Sequence, residues 1–551
     1  MSDAGRALDA LVREFYDVWF RFHPERAIEA GVSGYEGRLP AVDDDDIGSL
    51  VGWLEAGVVG LEEISFESLD ADERIDQRLL FGACHVEHRE LLEADWRHRD
   101  PLSFLPTPCI HQLILFPQAQ LRGALESCLA LVPEHLRHAR AQLATTPGLV
   151  PPVWLDAGVS GVRQGVEYLA RLAENPLVRR HCRNPADIKL LADKAVAALQ
   201  DYGRFLGQDL APEAEGEVAG GPVRFARRLT QRHFLPADVD ALERVAQTAY
   251  AASCAQLEAL STSVTGKPSP AVWLAQLTIR APLTTSEQID LARAHVEATR
   301  AFVQRAGLAS LPDQSDLRVL QSPGCVLPKG CAPDYIPPPH GDPGLHGTIY
   351  LSALDTGLGS RLPAILVGQC LRRGWVGSHL QMTAATKAAA ASGLVRRLNA
   401  SSTMTRGWPL YAEEMLQESG FPCDQEGRLA RLIEQRRRAH LALLDIEIHL
   451  RGLPPETAVG RLSKEPGISA ERAFSDVLEI SQRPGDALAA VAGWRALWLL
   501  RRQVEEEQGL SVRQFHDRLL AGGPIALPLL AESAFGREAW DAACRELLGA
   551  A

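Results

Sequence analysis

Residues 362–381 read LPAILVGQCLRRGWVGSHLQ, and the interpretation of the whole chain depends on this segment. Its apolar residues recur at helical spacing, and two arginines, Arg372 and Arg373, stand shortly before the pair Ser378 and His379. Neighbouring residues on a helix project about 100° apart, so this serine and this histidine do not face each other. The chain also contains no GxSxG sequence. A serine hydrolase is therefore a poor interpretation of the segment.

Helical periodicity dominates the chain on both sides of this segment, which itself opens a helical pattern over 362–391. The helical stretches before it are 3–30, 71–96, 121–144, 159–174, 186–210, 237–260 and 286–307. Those after it are 404–418, 426–450, 486–507 and 512–520. Two short β-branched, apolar runs at 316–320 and 348–352 flank a stretch rich in Pro and Gly, which predicts a small sheet with a long loop. The predicted fold class is thus mainly α with a small β-sheet.

The domain organisation is predicted from length and texture. At 551 residues the chain is longer than a single core usually covers. The predicted secondary structure changes along the chain from helices alone to helices with a small sheet. This change predicts a helical N-terminal half, 1–265, and a C-terminal half, 266–551. Length alone leaves open whether these halves are two closely packed domains or one large helical body.

The charge balance and the hydropathy exclude several classes of partner. The chain has 57 Lys and Arg residues against 70 Asp and Glu residues, a net charge of −13, and no basic stripe. Nucleic acid is therefore not an expected partner. No uninterrupted apolar stretch of about 18 residues is present, so no membrane span and no membrane partner is expected.

The N-terminal segment and the cysteines predict a cytoplasmic location. Residues 1–15, MSDAGRALDALVREF, lack the basic start and apolar core of a secretion signal. The 10 cysteines are scattered rather than arranged in CxxC pairs, in a chain too large to need disulfides. Reduced thiols in the cytoplasm are the simplest interpretation.

Segment 362–381 resembles the signature helix of a bacterial zincin-like family known as domain of unknown function 885 (DUF885). The family pattern there is HE-x-x-PGHH-LQ, and Arg372 and Arg373 stand at the HE pair. Ser378 and His379 stand at the two later histidines. The resemblance implies a zincin-like, metallopeptidase-type helical architecture, with the active-site helices in the C-terminal half.

A second family pattern, EGWALYAE, corresponds to RGWPLYAEE at residues 406–414. Arg406 stands at the Glu that binds metal in the family, whereas Tyr411 and Glu413 match. A catalytic zinc needs about three neutral or anionic ligands, and a guanidinium has no lone pair and stays protonated. The resemblance therefore implies a scaffold that has lost its zinc site, and no metal is expected. No organic cofactor is expected either, because no glycine-rich phosphate loop is present.

The resemblance continues toward the C-terminus. Asp445 and His449 are kept within LLDIEIHLRGLPPETAV, and Asp486 stands where the family has Gln within RPGDALAAVAG. The closing family pattern, FHD-x-LL, is matched by QFHDRLLAGGPIALPLL at residues 514–530. Weaker matches lie near the start and in the middle of the chain, so the similarity extends over nearly all of it.

These residues predict a metal-independent enzyme on a repurposed scaffold. Arginines bind carboxylate, phosphate or sulfate through planar, bidentate hydrogen bonds, which suits a small anionic or amino-acid-like substrate. The predicted substrate-binding residues are Arg372, Arg373, Arg406, Tyr411 and Asp486. The predicted catalytic residues, which would move a proton while the arginines stabilise an anion, are His379, Glu413, Asp445 and His449. The reaction could be an elimination, a cyclisation or an acyl transfer, for instance in specialised metabolism.

Two other functions stay open. One is a catalytically inactive relative that binds a ligand or a partner protein as a regulatory subunit, alone or as a homo-oligomer. The other is a peptidase with a displaced metal site. The arginines could also be ordinary surface residues, and Asp445 with His449 an ordinary structural pair. A structure in which His379, Glu413 and His449 point away from the arginines would favour the binding protein.

Overall fold

A computed structural model describes residues 2–116, 120–182, 185–321, 334–339, 342, 344–351, 361–388 and 393–549 of the chain. The chain divides into two compact units, one formed chiefly by Met1–Val218 and the other chiefly by Ala219–Ser322 and Asp342–Ala551. The short stretch 334–338 belongs to the second unit. The division thus lies at residue 218, whereas the sequence predicted it at residue 265.

The first unit is helical in its described residues. Its α-helices are α1 (Asp3–Phe22), α2 (Pro24–Ala30), α3 (Asp44–Glu62), α4 (Ala71–Glu93), α5 (Thr107–Leu115), α6 (Leu121–Thr145), α7 (Pro152–Ala170), α8 (Pro176–His181) and α9 (Pro185–Arg204). A π-helical segment, Phe205–Leu210, follows α9 directly. The helix starts use side-chain caps: Ser2 accepts a backbone N–H at the start of α1, and Asp70 with Glu73 forms a capping box on α4.

A closed charge cluster in the first unit is centred on His23, the residue between α1 and α2. His23 Nε2 lies 2.6 Å from Glu87 Oε1, and His23 Nδ1 lies 3.7 Å from Glu25 Oε1. Trp19 Nε1 donates to the other oxygen of Glu87 at 2.9 Å. Burial acts against the charged imidazole, but Glu87 and Glu25 outweigh it and raise the pKa of His23 to about 10. The protonated histidine is therefore matched by carboxylates on both of its nitrogens.

The second unit contains the sheet and the remaining helices. Before and within the sheet lie α10 (Gly221–Arg227), α11 (Val239–Thr265), α12 (Pro270–Leu277), α13 (Thr285–Ala306), β1 (Asp316–Gln321), β2 (Tyr335–Ile336) and β3 (His346–Leu351). After it lie α14 (Pro363–Arg373), α15 (Ser378–Ala388), α16 (Gly393–Leu398), α17 (Ser402–Thr405), α18 (Gly407–Glu418), α19 (Gln425–Arg451), α20 (Pro455–Leu462), α21 (Ala470–Gln482), α22 (Asp486–Gln508), α23 (Val512–Ala521), α24 (Leu527–Phe535) and α25 (Arg537–Leu548).

Helix α11 explains why the division of the chain lies before it. This helix packs against α19, the long helix near the centre of the second unit. Leu257 of α11 is fully buried in one apolar cluster with Leu429 and Leu432 of α19. Helical periodicity in the sequence identifies α11 but contains no information about which later helix it contacts, so the sequence assigned α11 to the N-terminal half.

The sheet has strand order β1–β3–β2 in the described residues, with β1 parallel and β2 antiparallel to β3. Val319 of β1 is in register with Ile349 of β3, and both are buried in a cluster that includes Trp375. Most of the Pro- and Gly-rich stretch 322–344 lies outside the described residues, apart from the short β2. The predicted fold class, mainly α with a small β-sheet, is confirmed.

The predicted helix over 362–391 is two helices, α14 and α15, and the last residues of that prediction lie outside the described ones. The chain turns sharply between Gly374 and Gly377, and a Cβ on Gly377 would overlap the carbonyl oxygen of Arg372. Only glycine tolerates so close an approach of two backbone segments. Ser378 then ties the two helices together, because its hydroxyl accepts from Arg373 Nη1 at 3.1 Å.

Two chain-wide features complete the description. None of the helices in the described part of the chain is long and apolar enough to cross a membrane. The cysteines within the described ranges are all free thiols, and most of them are buried.

Candidate functional site

A cavity of about 300 Å³ in the second unit lies between faces of α14 and α19. The lining residues of α14 are Ile365, Gln369, Arg372 and Arg373. Those of α19 are Ala430, Ile433, Glu434, Arg437 and Arg438. In both helices the spacing of three, four, seven or eight residues places these side chains on one face, and the two helices pack against each other. Other parts of the second unit contribute Asp334, Arg406, Leu410, Ile468, Glu471 and Arg472.

The wall of the cavity is strongly basic. Among the described residues, six arginines and three carboxylates line it. Three further carboxylates, Glu413, Glu479 and Asp476, lie outside the lining and pair with Arg372, Arg406 and Arg437. The arginines are Arg372, Arg373, Arg406, Arg437, Arg438 and Arg472, and the carboxylates are Asp334, Glu434 and Glu471. The structure thus brings together at one cavity the three arginines that the sequence singled out, Arg372, Arg373 and Arg406.

Two of the arginines are fully held by protein groups. Arg373 donates through Nε to Asp334 at 2.9 Å and through Nη1 to Ser378, and its Nη2 lies 2.8 Å from the same aspartate. Arg437 donates through Nε and Nη2 to the two oxygens of Glu434, at 2.9 and 2.7 Å, and through Nη1 to Asp476 at 2.5 Å. All three nitrogens of each guanidinium are engaged, so these two arginines build the wall.

Two other arginines have fewer partners within the described residues. Arg406 donates through Nη2 to Glu479, and Arg438 donates through Nε to Glu434 at 2.8 Å. A guanidinium has five N–H groups. Most donors of Arg406 and Arg438 therefore make no hydrogen bond to any described residue, although both side chains line the cavity.

The surroundings of Glu434 stabilise its negative charge but disfavour the positive charge of Arg438. Burial acts to raise the pKa of Glu434, but the attraction of Arg437, Arg438, Arg372 and Arg472 outweighs it and holds that pKa well below its usual value. Burial, with repulsion from Arg437, lowers the pKa of Arg438 to about 10. Glu434 is thus ionised near neutral pH, and the charge of Arg438 is disfavoured where it stands.

Glu413, predicted to be catalytic, is the counter-ion of Arg372. Its Oε2 lies 2.9 Å from Arg372 Nη1, and the carboxylate side chain is 2% exposed. Burial raises the pKa of Glu413, and the nearby Arg372 opposes that shift. Glu413 therefore adjoins the cavity through Arg372 and is not among the described residues that line it.

His379, also predicted to be catalytic, is buried beside the sheet. The hydroxyl of Ser315 donates to the carbonyl of Leu345, so its oxygen is available to accept from His379 Nε2 at 3.0 Å. Tyr335 OH lies 3.0 Å from the other ring nitrogen, Nδ1, to which it can donate. Burial, with repulsion from Arg300, lowers the pKa of His379 to about 3. A neutral imidazole with both nitrogens in use is a structural group.

Asp445 and His449 form a second closed network. Asp445 accepts the backbone N–H groups of Gly485, Ala487 and Leu488, at 3.1, 3.1 and 3.3 Å, around the start of α22. His449 Nε2 lies 2.9 Å from the carbonyl oxygen of Ile480, and Nδ1 accepts the N–H of Gly220 at 3.1 Å. Both side chains are buried and bound to backbone, so they fix the position of α22.

Tyr411 and Asp486 also belong to networks of their own. The hydroxyl of Tyr411 lies 2.7 Å from His516 Nε2, whose other nitrogen contacts the carbonyl of Leu308. Asp486 Oδ1 accepts from Arg228 at 3.1 Å and lies 3.0 Å from His233 Nε2. Neither Tyr411 nor Asp486 is among the described residues that line the cavity.

Reasoning from the sequence missed half of the arginines at the cavity, namely Arg437, Arg438 and Arg472. The sequence around the first two, EQRRRAH at 434–440, contains a signal, because Glu434 with Arg437 and Arg438 has the i, i+3 and i+4 spacing of helical ion pairs. Arg472 and Asp334 come from distant segments, and no local pattern marks them. In the part of the chain that the structure describes, no group of three or more His, Cys, Asp or Glu side chains is arranged to hold a metal ion.

Two solved structures share this fold over nearly their whole length. A protein from Shewanella oneidensis, described as "a putative lipoprotein of unknown function", has a TM-score of 0.74 and 16% identity, with 95% of this chain and 99% of the other covered. A "putative lipoprotein" from Colwellia psychrerythraea has a TM-score of 0.81 and 14% identity, with 97% and 99% covered. At these identities the similarity shows the fold alone.

These descriptions correct the predicted location. Both neighbours are described as putative lipoproteins, whereas the sequence was interpreted as that of a cytoplasmic protein. The cytoplasmic prediction is therefore wrong. It rested on the first residues of the chain and on the scattered cysteines, and neither feature shows where a protein with this fold is located.

The family is shown by sequence. No curated protein matches the chain significantly. The sequence profile of the family described as "Bacterial protein of unknown function (DUF885)" matches residues 24–533. Since this match includes the cavity, the sheet and most helices of both units, the chain belongs to the DUF885 family.

Proposed function

We propose that this protein binds a small anionic ligand in the arginine-lined cavity and acts as a binding protein rather than as a peptidase. The observation that carries the proposal is a cavity of about 300 Å³ lined by six arginines, of which Arg406 and Arg438 each donate a single hydrogen bond within the described residues. Pockets that enclose small molecules begin at about this volume. Guanidinium N–H groups that face a cavity without a protein acceptor favour an anion there, because it can accept hydrogen bonds from them.

Arg406 and Arg438 are the proposed anion-binding groups. Arg373 and Arg437 already use all three nitrogens on protein partners, whereas Arg406 and Arg438 each donate one hydrogen bond within the described residues. Arginine binds carboxylate, phosphate and sulfate through paired, charge-assisted hydrogen bonds. An anion between these side chains would also reduce the repulsion that disfavours the charge of Arg438.

The zincin-like architecture and the degenerate metal motif remain part of this proposal. The resemblance aligns Arg372, Arg373 and Arg406 with metal-binding or catalytic positions of zincins, and the meeting of these three side chains at one cavity supports that alignment. A guanidinium has no lone pair for a metal ion and repels one. On this proposal, a site that held a cation has become a site for an anion.

A metal-independent enzyme has less support. Of its four predicted acids and bases, His379, Asp445 and His449 are engaged elsewhere with neighbouring side chains or backbone. The fourth, Glu413, is the counter-ion of Arg372. Of the carboxylates in the cavity wall, Asp334 and Glu434 both have lowered pKa values despite burial, because arginines surround them. A carboxylate that arginines hold ionised in this way is a weak base, so the cavity is better suited to binding than to proton transfer.

The test is binding of simple anions to the purified protein, measured by isothermal titration calorimetry with acetate, phosphate and sulfate. We expect Arg406→Gln and Arg438→Gln each to weaken binding by roughly tenfold or more, because a charged hydrogen bond contributes about 1.5–3 kcal/mol. Arg451→Gln is the matched control, since Arg451 lies on the same helix but pairs with Glu243 at the surface. Unchanged affinity in both cavity variants, or no anion binding at all, would overturn the proposal.

We also propose that the protein acts in the cell envelope, which the descriptions of the two structural neighbours support. Fractionation of bacteria that express the full chain, followed by immunoblotting, tests this. Recovery in the envelope fraction is expected. Recovery only with cytoplasmic markers would refute the proposed location and leave the anion site unaffected.

A further inference from the structure

The cavity has a chemical gradient along α14. The face of this helix that lines the cavity begins with Ile365 and ends, seven and eight residues later, with Arg372 and Arg373. At 1.5 Å per residue, eight residues correspond to about 12 Å along the helix axis. One end of this wall is therefore aliphatic, and the other is cationic.

Helix α19 repeats the gradient. Its lining residues begin with Ala430 and Ile433 and end with Arg437 and Arg438. The distance along the chain is eight residues, as in α14. Ile433 is a buried member of an apolar cluster against which Ile365 and Ile468 pack. Because the aliphatic ends of both helices meet at this cluster, the two gradients run in the same direction across the cavity.

We propose that the natural ligand is an amphipathic acid, with one anionic head group and an uncharged aliphatic tail of a few carbons. This inference rests on the proposed anion site and names its ligand class. The head group binds at the arginine end, and the tail lies against Ile365, Ile433 and Ile468. An inorganic anion would not cover the part of the aliphatic wall that faces the cavity, whereas a tail that covers it contributes binding energy in proportion to the apolar area removed from water. A free amino group on the tail is disfavoured, because it would lose its hydration among isoleucines.

The test compares three carboxylates by isothermal titration calorimetry on the full chain: acetate, hexanoate and 6-aminohexanoate. Hexanoate has the head group of acetate with four more carbons, and 6-aminohexanoate has the same length with a cation at the end of the tail. We expect hexanoate to bind roughly tenfold or more tightly than acetate, as burial of several methylene groups requires. We expect 6-aminohexanoate to bind no better than acetate.

Two variants test the aliphatic end and the arginine end of the cavity separately. Ile468→Ser changes a half-buried side chain at the aliphatic end, so it should weaken hexanoate several-fold and leave acetate unchanged. Arg438→Gln should weaken both acids equally. Hexyl phosphate, compared with hexanoate, identifies which anionic head group the arginines prefer.

The outcomes distinguish this inference from the proposed function. If acetate, hexanoate and 6-aminohexanoate bind equally well and Arg438→Gln abolishes all three, the anion site stands and the amphipathic ligand is refuted. If Ile468→Ser weakens acetate as much as hexanoate, the assigned tail position is wrong. If no acid binds the wild-type protein, both the proposed anion site and the proposed amphipathic ligand are refuted.

Discussion

The arginine cavity and the Asp445–His449 network both include residues of helix α19. They differ in how many of their polar groups have a hydrogen-bond partner in the protein. Asp445 accepts three backbone N–H groups, and both nitrogens of His449 are bonded to backbone. Arg438, two turns earlier on the same helix, lines the cavity and donates only one hydrogen bond within the described residues. A fully matched polar group stabilises the fold, whereas an incompletely matched one is available to a ligand.

The largest expected effect on stability concerns Glu434, whose carboxylate contacts one arginine of the wall, Arg437, and one proposed anion-binding arginine, Arg438. Glu434→Ala removes the carboxylate that contacts both Arg437 and Arg438. It should reduce the free energy of unfolding by about 3–5 kcal/mol, because it leaves buried cations without their partner. Urea denaturation measures this change. An unchanged midpoint would mean that the arginine wall does not depend on Glu434.

Asp445→Ala is expected to have the next largest effect, and on stability only. The loss of three hydrogen bonds around the start of α22 should cost about 2–4 kcal/mol. Affinity for anions, measured under conditions in which the variant is folded, should not change. A parallel loss of anion affinity would show that the network and the cavity are not separate, contrary to the comparison.

The His23 cluster extends the comparison to the first unit. The pKa of His23 is raised from 6.5 to about 10 in the folded protein, so its contribution to stability is fully present below about pH 6.5 and is lost as the pH rises through about 10. Replacement of this charged hydrogen-bonding group by Gln should cost about 1–3 kcal/mol at pH 6. Urea midpoints of wild type and His23→Gln should therefore converge toward pH 10.5. A difference that stays constant over this range would contradict the charged histidine.

The smallest expected effect on stability belongs to Arg438→Gln. This change removes a contact with Glu434 but also the repulsion from Arg437, so the two terms oppose each other. We expect the free energy of unfolding to change by less than about 1 kcal/mol. Together with the predicted loss of anion affinity, that result would mark Arg438 as a ligand-binding residue. A loss as large as that of Glu434→Ala would instead make it part of the wall.

Much of the fold could be predicted from the sequence, and the exceptions have physical causes. Periodicity identified the long helices, because side chains on a buried face repeat at a fixed interval. Short β-branched, apolar runs identified the two main strands. Periodicity missed the turn between α14 and α15, although Gly374 and Gly377 were visible as the signal. Which helix α11 packs against depends on contacts distant in sequence, so the division at residue 218 was not predictable.

The candidate site was predictable only where a motif marked it. Arg372, Arg373 and Arg406 were found because the resemblance assigns those positions, and the structure places them at one cavity. His379 was assigned a catalytic role for the same reason. Its surroundings come from Ser315 and Tyr335, on segments far away in sequence. Residue type and motif position therefore indicated where a pocket lies, but whether each side chain is matched could be judged only from its contacts.

Gly377 sets a steric limit on one wall of the proposed anion site. Its backbone passes so close to the carbonyl oxygen of Arg372 that even the methyl group of alanine would overlap that atom. A larger residue here would force the end of α14 to move, and Arg372 and Arg373 would move with it. The shape of the cavity wall thus depends on a residue that has no charge and no side chain. In a redesign of this protein, position 377 has to remain glycine if the end of α14 is to keep its place.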